Sequence, residues 1–201
     1  DMDRVVYDLF PFNQSDRQES PEYRGSLMRI TVSGHPGSGT TSLAKYLQKE
    51  FGFDLISAGE VFRQLAAEAK LSLSEFGAKC EADPAVDQMI DERQKEIGEK
   101  SDDIIVEGRL SGWMVENADL RIWVTASLQC RSERISERDD LEPEDSYALT
   151  REKQLCEARR YMDYYDIDIN DLSVYDLVIS SEKWGAEELG SIVKQAVICL
   201  K

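Results

Sequence analysis

Histidine is nearly absent from this 201-residue sequence, where His35 stands alone. The four cysteines, Cys80, Cys130, Cys156 and Cys199, are scattered and form no C-x-x-C pair. A structural zinc site draws on clustered Cys and His, and this chain offers no such cluster. Dispersed thiols fit a reducing compartment, so the cytoplasm is the expected location. Basic residues are also scarce, 24 against 40 acidic ones, giving a formal net charge of −16. A chain with a pI near 4.5 is a poor general binder of nucleic acid or of an anionic membrane, and neither is an expected partner. No run approaches the roughly 20 apolar residues of a membrane span, and no signal-peptide pattern opens the chain. What is present is 41% hydrophobic residues over a length that suits one domain with a substantial core.

One stretch organises the rest. Arg29-Ile-Thr-Val-Ser33 is an apolar, β-branched run that ends in Gly34-His-Pro-Gly-Ser-Gly39, and a helix pattern follows from Thr40. Glycines at 34, 37 and 39 let backbone approach backbone, and a helix N-terminus adds partial positive charge at the same point. The product is a phosphate cradle. Its spacing fits the P-loop pattern G-x-x-x-x-G-K-[ST] with Gly34, Gly39 and Thr41, but Thr40 stands where the pattern has lysine. An ordinary glycine-rich β–α turn has no need for three glycines, two hydroxyls and a helix start in one window. Thr41 is then the Mg²⁺ ligand, and Thr40 a side chain too short to bring charge to phosphate. On that basis Thr40→Ala is expected to be mild and Thr41→Ala severe.

The chain beyond the cradle alternates strand and helix, which predicts an α/β protein with a parallel sheet of five strands flanked by helices. Strands are expected near 29–33, 53–57, 104–106, 120–125 and 177–179. Helices are expected near 40–51, 58–70, 84–100, 127–139, 143–165 and 185–200, with a short one from Ser72 or Ser74 to about Glu81. Residues 1–27 lack this periodicity and read as an extension to a domain spanning 28–201.

In an open α/β sheet, ligands sit beyond the carboxyl ends of the strands. Three loops converge there: the cradle, Ser57-Ala-Gly59 leading to Arg63, and Glu107-Gly-Arg109. Arg63 and Arg109 would hold a second phosphate with guanidinium forks, and Glu107 would touch Mg²⁺ through water. Arg131, Arg134 and Arg138 recur on one helical face, and Arg151, Arg159 and Arg160 follow an acidic turn. In so acidic a chain this grouping predicts a helical lid, about 139–160, whose arginines close over transferring phosphate.

The cradle, Ser57-Ala-Gly-Glu-Val-Phe-Arg63, Val106-Glu-Gly-Arg-Leu-Ser-Gly-Trp113, Ala118-Asp-Leu-Arg-Ile-Trp-Val124 and the segment from Arg160-Tyr-Met-Asp-Tyr-Tyr-Asp-Ile-Asp168 to Val178 follow in order. Together they closely resemble the archaeal-type cytidylate kinases, a branch of the nucleoside-monophosphate kinases, over about 28–201. The resemblance implies a three-layer P-loop kinase fold and transfer of the γ-phosphoryl of ATP, with Mg²⁺, to CMP or dCMP. It implies that Gly34, His35, Pro36, Gly37, Ser38, Gly39, Thr40, Thr41 and Ser42 hold ATP phosphates. Ser57, Gly59, Arg63, Gly108 and Arg109 would serve the monophosphate, and Arg151 with Arg159 or Arg160 the transferring group, beside Arg131 from the arginine grouping above. The expected partners are small nucleotides, and the expected state is a monomer. From the residues alone, another small-molecule P-loop kinase such as an adenylate kinase, or a P-loop module that senses nucleotide without catalysis, stays open.

Overall fold

The computed structural model describes residues 27–72, 75–76 and 84–200. The extension expected over 1–27, Leu27 apart, and most of the short helix expected after Ser72 lie outside these residues. Five strands form one parallel sheet in the order β2-β3-β1-β4-β5: β1 Arg29–Gly34, β2 Asp54–Ser57, β3 Ile104–Glu107, β4 Leu120–Thr125 and β5 Leu177–Ser180. The helices are α1 Thr40–Phe51, α2 Ala58–Glu68, α3 Pro84–Lys100, α4 Ser111–Met114, α5 Leu128–Asp139, α6 Pro143–Tyr165 and α7 Ala186–Ile198.

Strand alternation builds three layers. Ile30 and Val32 of β1, Ile105 of β3 and Ile122 and Val124 of β4 pack with Leu43 and Leu47 of α1 and Val193 and Val197 of α7. On the opposite face Ile104 and Val106 of β3 pack with Val61 of α2 and Ile97 of α3. A third cluster, Leu110, Trp123, Tyr161, Ile169 and Tyr175, fastens the end of α6 to that face. The central strands are covered on both sides, which explains their continuous apolar character. Each fully buried Ile or Leu contributes roughly 1.5–3 kcal/mol.

The register sets up the site. Val32 lies beside Glu107, and Ser57 also pairs with Glu107, so β1, β2 and β3 end at one edge of the sheet. Two elements differ from expectation. The four-residue helix α4 was not foreseen, because one turn gives no periodicity to read; Ser33 fixes it by accepting from Gly112 N at 3.1 Å. Helix α2 stops at Glu68 because Lys70 turns to φ 57°. The expected lid, about 139–160, falls on the end of α5, a short turn and most of α6. Helix α6 runs unbroken for 23 residues, and Ser146 Oγ ties it to Ser132 O of α5 at 2.7 Å.

Candidate active site

The cradle leaves β1 at Gly34 and enters α1 at Thr40. Gly37 and Gly39 have φ of 81° and 98°, a left-handed backbone that favours glycine. A side chain on Gly34 would put its Cβ 2.4 Å from Val124 O, so the loop is pressed against β4. The loop is also held from behind. Arg131, 3% exposed, donates to Pro36 O at 3.2 Å. Arg134 donates to Gly37 O at 3.3 Å, and Ser181 Oγ donates to Ser38 O at 2.6 Å. These bonds take the loop's carbonyls away from the cleft, where they would repel an anion. His35 packs edge-on against Trp123, with ring centroids 5.2 Å apart. Burial, then the charges of Arg131 and Arg109, lowers its pKa to about 4. It is therefore neutral near pH 7 and does not supply the charge that Thr40 lacks.

Glu107, 7% exposed at the end of β3, faces the loop. Thr40 Oγ1 donates to Glu107 Oε1 at 2.7 Å, and Thr41 Oγ1 approaches the same oxygen at 3.4 Å. Gln94 of α3 holds the Glu107 backbone carbonyl at 2.8 Å. Two hydroxyls and a carboxylate are hard oxygen donors of the kind Mg²⁺ takes. Among the described residues no group of three or more His, Cys, Asp or Glu is gathered. A metal here would draw its other ligands from phosphate and water, as Mg²⁺ commonly does.

Thr40, Thr41 and Glu107 line a cavity of about 630 Å³ with Gly59, Gly108, Arg109, Arg134, Arg138, Lys153 and Glu157. A second cavity of about 260 Å³ shares Ala58, Gly59 and Arg109 with it, and adds Phe62, Ile90, Asp91, Arg160 and Tyr161. Arg109 stands at the junction, donating to Gly34 O at 3.3 Å and pairing with the buried Glu157 at 3.4 Å. A phosphate cradle, a carboxylate beside it, and an arginine between two joined cavities form an arrangement for two phosphate-bearing ligands.

Residues 29–183 match the family model described as "Cytidylate kinase-like family". This chain belongs to the cytidylate kinase-like family. The sequence is 62% identical to a cytidylate kinase of Methanoregula boonei over 87% of this chain and 96% of the other. It is 45% identical to a cytidylate kinase of Pyrococcus abyssi over 87% of this chain and 95% of the other. In fold it is similar to the shikimate kinase of Bacteroides thetaiotaomicron, with a TM-score of 0.58, 12% identity and coverage of 86% and 99%. The shikimate kinase of Aquifex aeolicus gives a TM-score of 0.55 at 19% identity, covering 85% and 96%. The parallel five-stranded sheet and these neighbours show the P-loop kinase fold expected from the sequence.

Within this cytidylate kinase-like chain, the residues named from sequence are placed differently: Gly34, His35 and Ser38 belong to the part of the loop packed against Val124, Trp123 and Ser181. Pro36, Gly37, Gly39, Thr40, Thr41, Ser42, Gly59, Glu107, Gly108 and Arg109 line the phosphate cavity together. Ser57 sits just behind it, where its Oγ accepts from Glu60 N at 3.1 Å and caps α2. Arg63 is exposed on α2 and lines neither cavity, although its Nη1 comes within 3.6 Å of the space beside Gly59. The arginines depart most from expectation. Arg131 is turned to the back of the loop and braces it instead of facing the transferring group. Arg151 and Arg159 lie exposed on a different face of α6, around Tyr147, Leu155 and Cys156, and Arg160 lines the smaller cavity. The cations that line the phosphate cavity are Arg109, Arg134, Arg138 and Lys153. Lys153 was missed because a lone lysine on a polar helix carries no sequence signal.

The expectation for Thr40 also changes. Its hydroxyl makes the shorter bond to Glu107, in a buried place, so Thr40→Ala leaves that carboxylate underpartnered. A stranded buried acceptor costs about 1–3 kcal/mol. Thr40→Ala should therefore lower kcat/KM by roughly tenfold, with Thr40→Ser near wild type. Steady-state kinetics over a range of Mg²⁺ would check this. Equal activity of all three proteins would remove Thr40 from the support of Glu107.

Proposed function

We propose that this protein transfers the γ-phosphoryl group of ATP to CMP or dCMP, acting as a cytoplasmic monomer. The single observation that supports this best is the pair of cavities joined at Arg109. One is walled by a phosphate cradle, and the other is apolar with charged residues at its edge. The relatives named cytidylate kinase favour a cytidine acceptor.

Phosphoryl transfer asks little covalent chemistry of a protein; it needs in-line positioning, charge neutralisation and dryness. The backbone N–H groups of Gly37 to Thr41 and the start of α1 hold the ATP phosphates. Arg109 grips the acceptor phosphate and sets it against the cradle. Arg134, Arg138 and Lys153 supply positive charge that the loop lacks at Thr40. Thr41 and Glu107, the latter through water, would hold Mg²⁺, which when bound neutralises charge on the β and γ phosphates. Arg151 and Arg159 would need α6 to move in order to reach the cleft, so their part belongs to a closed state.

ADP release measured with CMP, dCMP, UMP, AMP and no acceptor tests this directly. Release that depends on CMP or dCMP is the expected result. Release that depends on AMP would favour an adenylate kinase, and nucleotide binding without acceptor-dependent release would favour a sensor.

A further inference from the structure

The segment Tyr164-Tyr165-Asp-Ile-Asp168 is part of the family resemblance, yet none of its residues lines the phosphate cavity. Tyr165 ends α6, and its phenol donates to Asp91 Oδ2 of α3 at 3.0 Å. Asp91 lines the smaller cavity, where Phe62, Ile90 and Tyr161 offer apolar walls and Arg160 brings a cation. That cavity meets the phosphate cavity at Arg109. A ligand whose phosphate rests on Arg109 can therefore place a flat ring in it. An ionised carboxylate only accepts hydrogen bonds. It favours an exocyclic amino group and repels a carbonyl oxygen at the same place. Cytosine carries the amino group at C4, and uracil carries the oxygen.

We propose that Asp91 reads the exocyclic amino group of the acceptor base, with Tyr165 as its positioning residue. This rests on the reading of the protein as a pyrimidine monophosphate kinase. Burial and the charge of Asp91 push the Tyr165 phenol well above its ordinary pKa. It keeps its proton near pH 7, so toward Asp91 it donates and fixes one carboxylate oxygen. Adenine also carries an amino group beside a ring acceptor, so Asp91 separates cytosine from uracil but not from adenine. Rejection of a purine would fall to the size of the cavity.

The test compares CMP, UMP and the 4-deamino analogue, pyrimidin-2-one riboside 5′-monophosphate, in wild type, Asp91→Asn and Tyr165→Phe. The wild type should prefer CMP to the analogue by about 10–150-fold in kcat/KM, the effect of one charge-assisted hydrogen bond. In Asp91→Asn, Tyr165 holds the amide oxygen and the NH₂ becomes a donor. CMP preference over the analogue should fall to about threefold or less, while UMP gains relative to CMP. The KM for ATP should hold in both variants. Tyr165→Phe should raise the KM for CMP more than it changes kcat. A brace without recognition would lower turnover on all three acceptors equally and leave the CMP-to-analogue ratio at its wild-type value, and that result overturns the proposal. If Asp91→Asn does not fold, the same ratio in Tyr165→Phe decides, and a wild-type ratio near one overturns it without any variant. Failure of the wild type to phosphorylate any pyrimidine monophosphate is a different result, which removes the parent reading and this proposal with it.

Discussion

Replacing Gly37 with alanine is expected to weaken ATP binding by roughly 100-fold while leaving the protein folded. Gly37 has φ of 81°, and a Cβ built there would lie 2.6 Å from Arg131 O, a backbone atom. Holding an alanine in the left-handed region costs roughly 1–2 kcal/mol. The contact with α5 adds to that, since α5 is held against the loop by Arg131 and Arg134 and cannot easily retreat. The loop relieves the strain by moving, and moving re-aims the N–H groups of Gly37 to Thr41. A local distortion of about 3 kcal/mol is survivable for a domain whose total stability is about 5–15 kcal/mol. The same displacement at the phosphates should reduce ATP affinity by roughly 100-fold, since misplaced donors no longer converge. Calorimetric titration with ATP and a thermal melt would report the two effects separately. ATP affinity within threefold of wild type would mean that the cradle does not depend on this backbone geometry.

The cradle was legible in the sequence because every part of it is local: an apolar strand, three glycines and a helix start within a dozen residues. The sheet was legible for a similar reason, since Ile104-Ile-Val106 and Leu120-Arg-Ile-Trp-Val124 announce buried strands by composition. The arginines were not. Arg131 and Pro36 lie far apart in sequence, and only the docking of α5 against the loop turns that guanidinium to the loop's rear face. On α6, Arg151, Arg159 and Arg160 differ in orientation by the helix's rotation about its own axis, which helix packing determines and periodicity alone does not. Glu157 was missed altogether. It reads as one more acid on a charged helix, and its burial beside Arg109 appears only when the end of α6 packs in the cluster with Leu110 and Trp123.

That buried acid makes Arg109→Ala the most informative single change at the junction. Arg109 is 25% exposed and Glu157 8%, at 3.4 Å. Two losses follow from removing the guanidinium. The acceptor's phosphate loses a charge-assisted fork, worth about 1.5–3 kcal/mol, so CMP affinity should fall by roughly 10–150-fold. Glu157 also loses its partner inside the protein. Breaking a buried pair from one side costs about 3–5 kcal/mol, and the figure here should fall below that because Arg131 still offsets part of the charge. The melting temperature should therefore drop by several degrees along with the affinity. Adding Glu157→Gln removes the stranded charge, and the two effects should then separate. Arg109→Ala/Glu157→Gln should melt close to wild type yet bind CMP as poorly as Arg109→Ala alone, with ATP binding little changed. Titration of each protein with CMP and with ATP, beside thermal melts, gives all the required quantities. Recovery of CMP affinity in the double variant would show that Arg109 acts by neutralising Glu157 and not by gripping the substrate. The phosphate grip would then have to pass to another cation, and Arg63, on the rim beside Gly59, would be the first to examine.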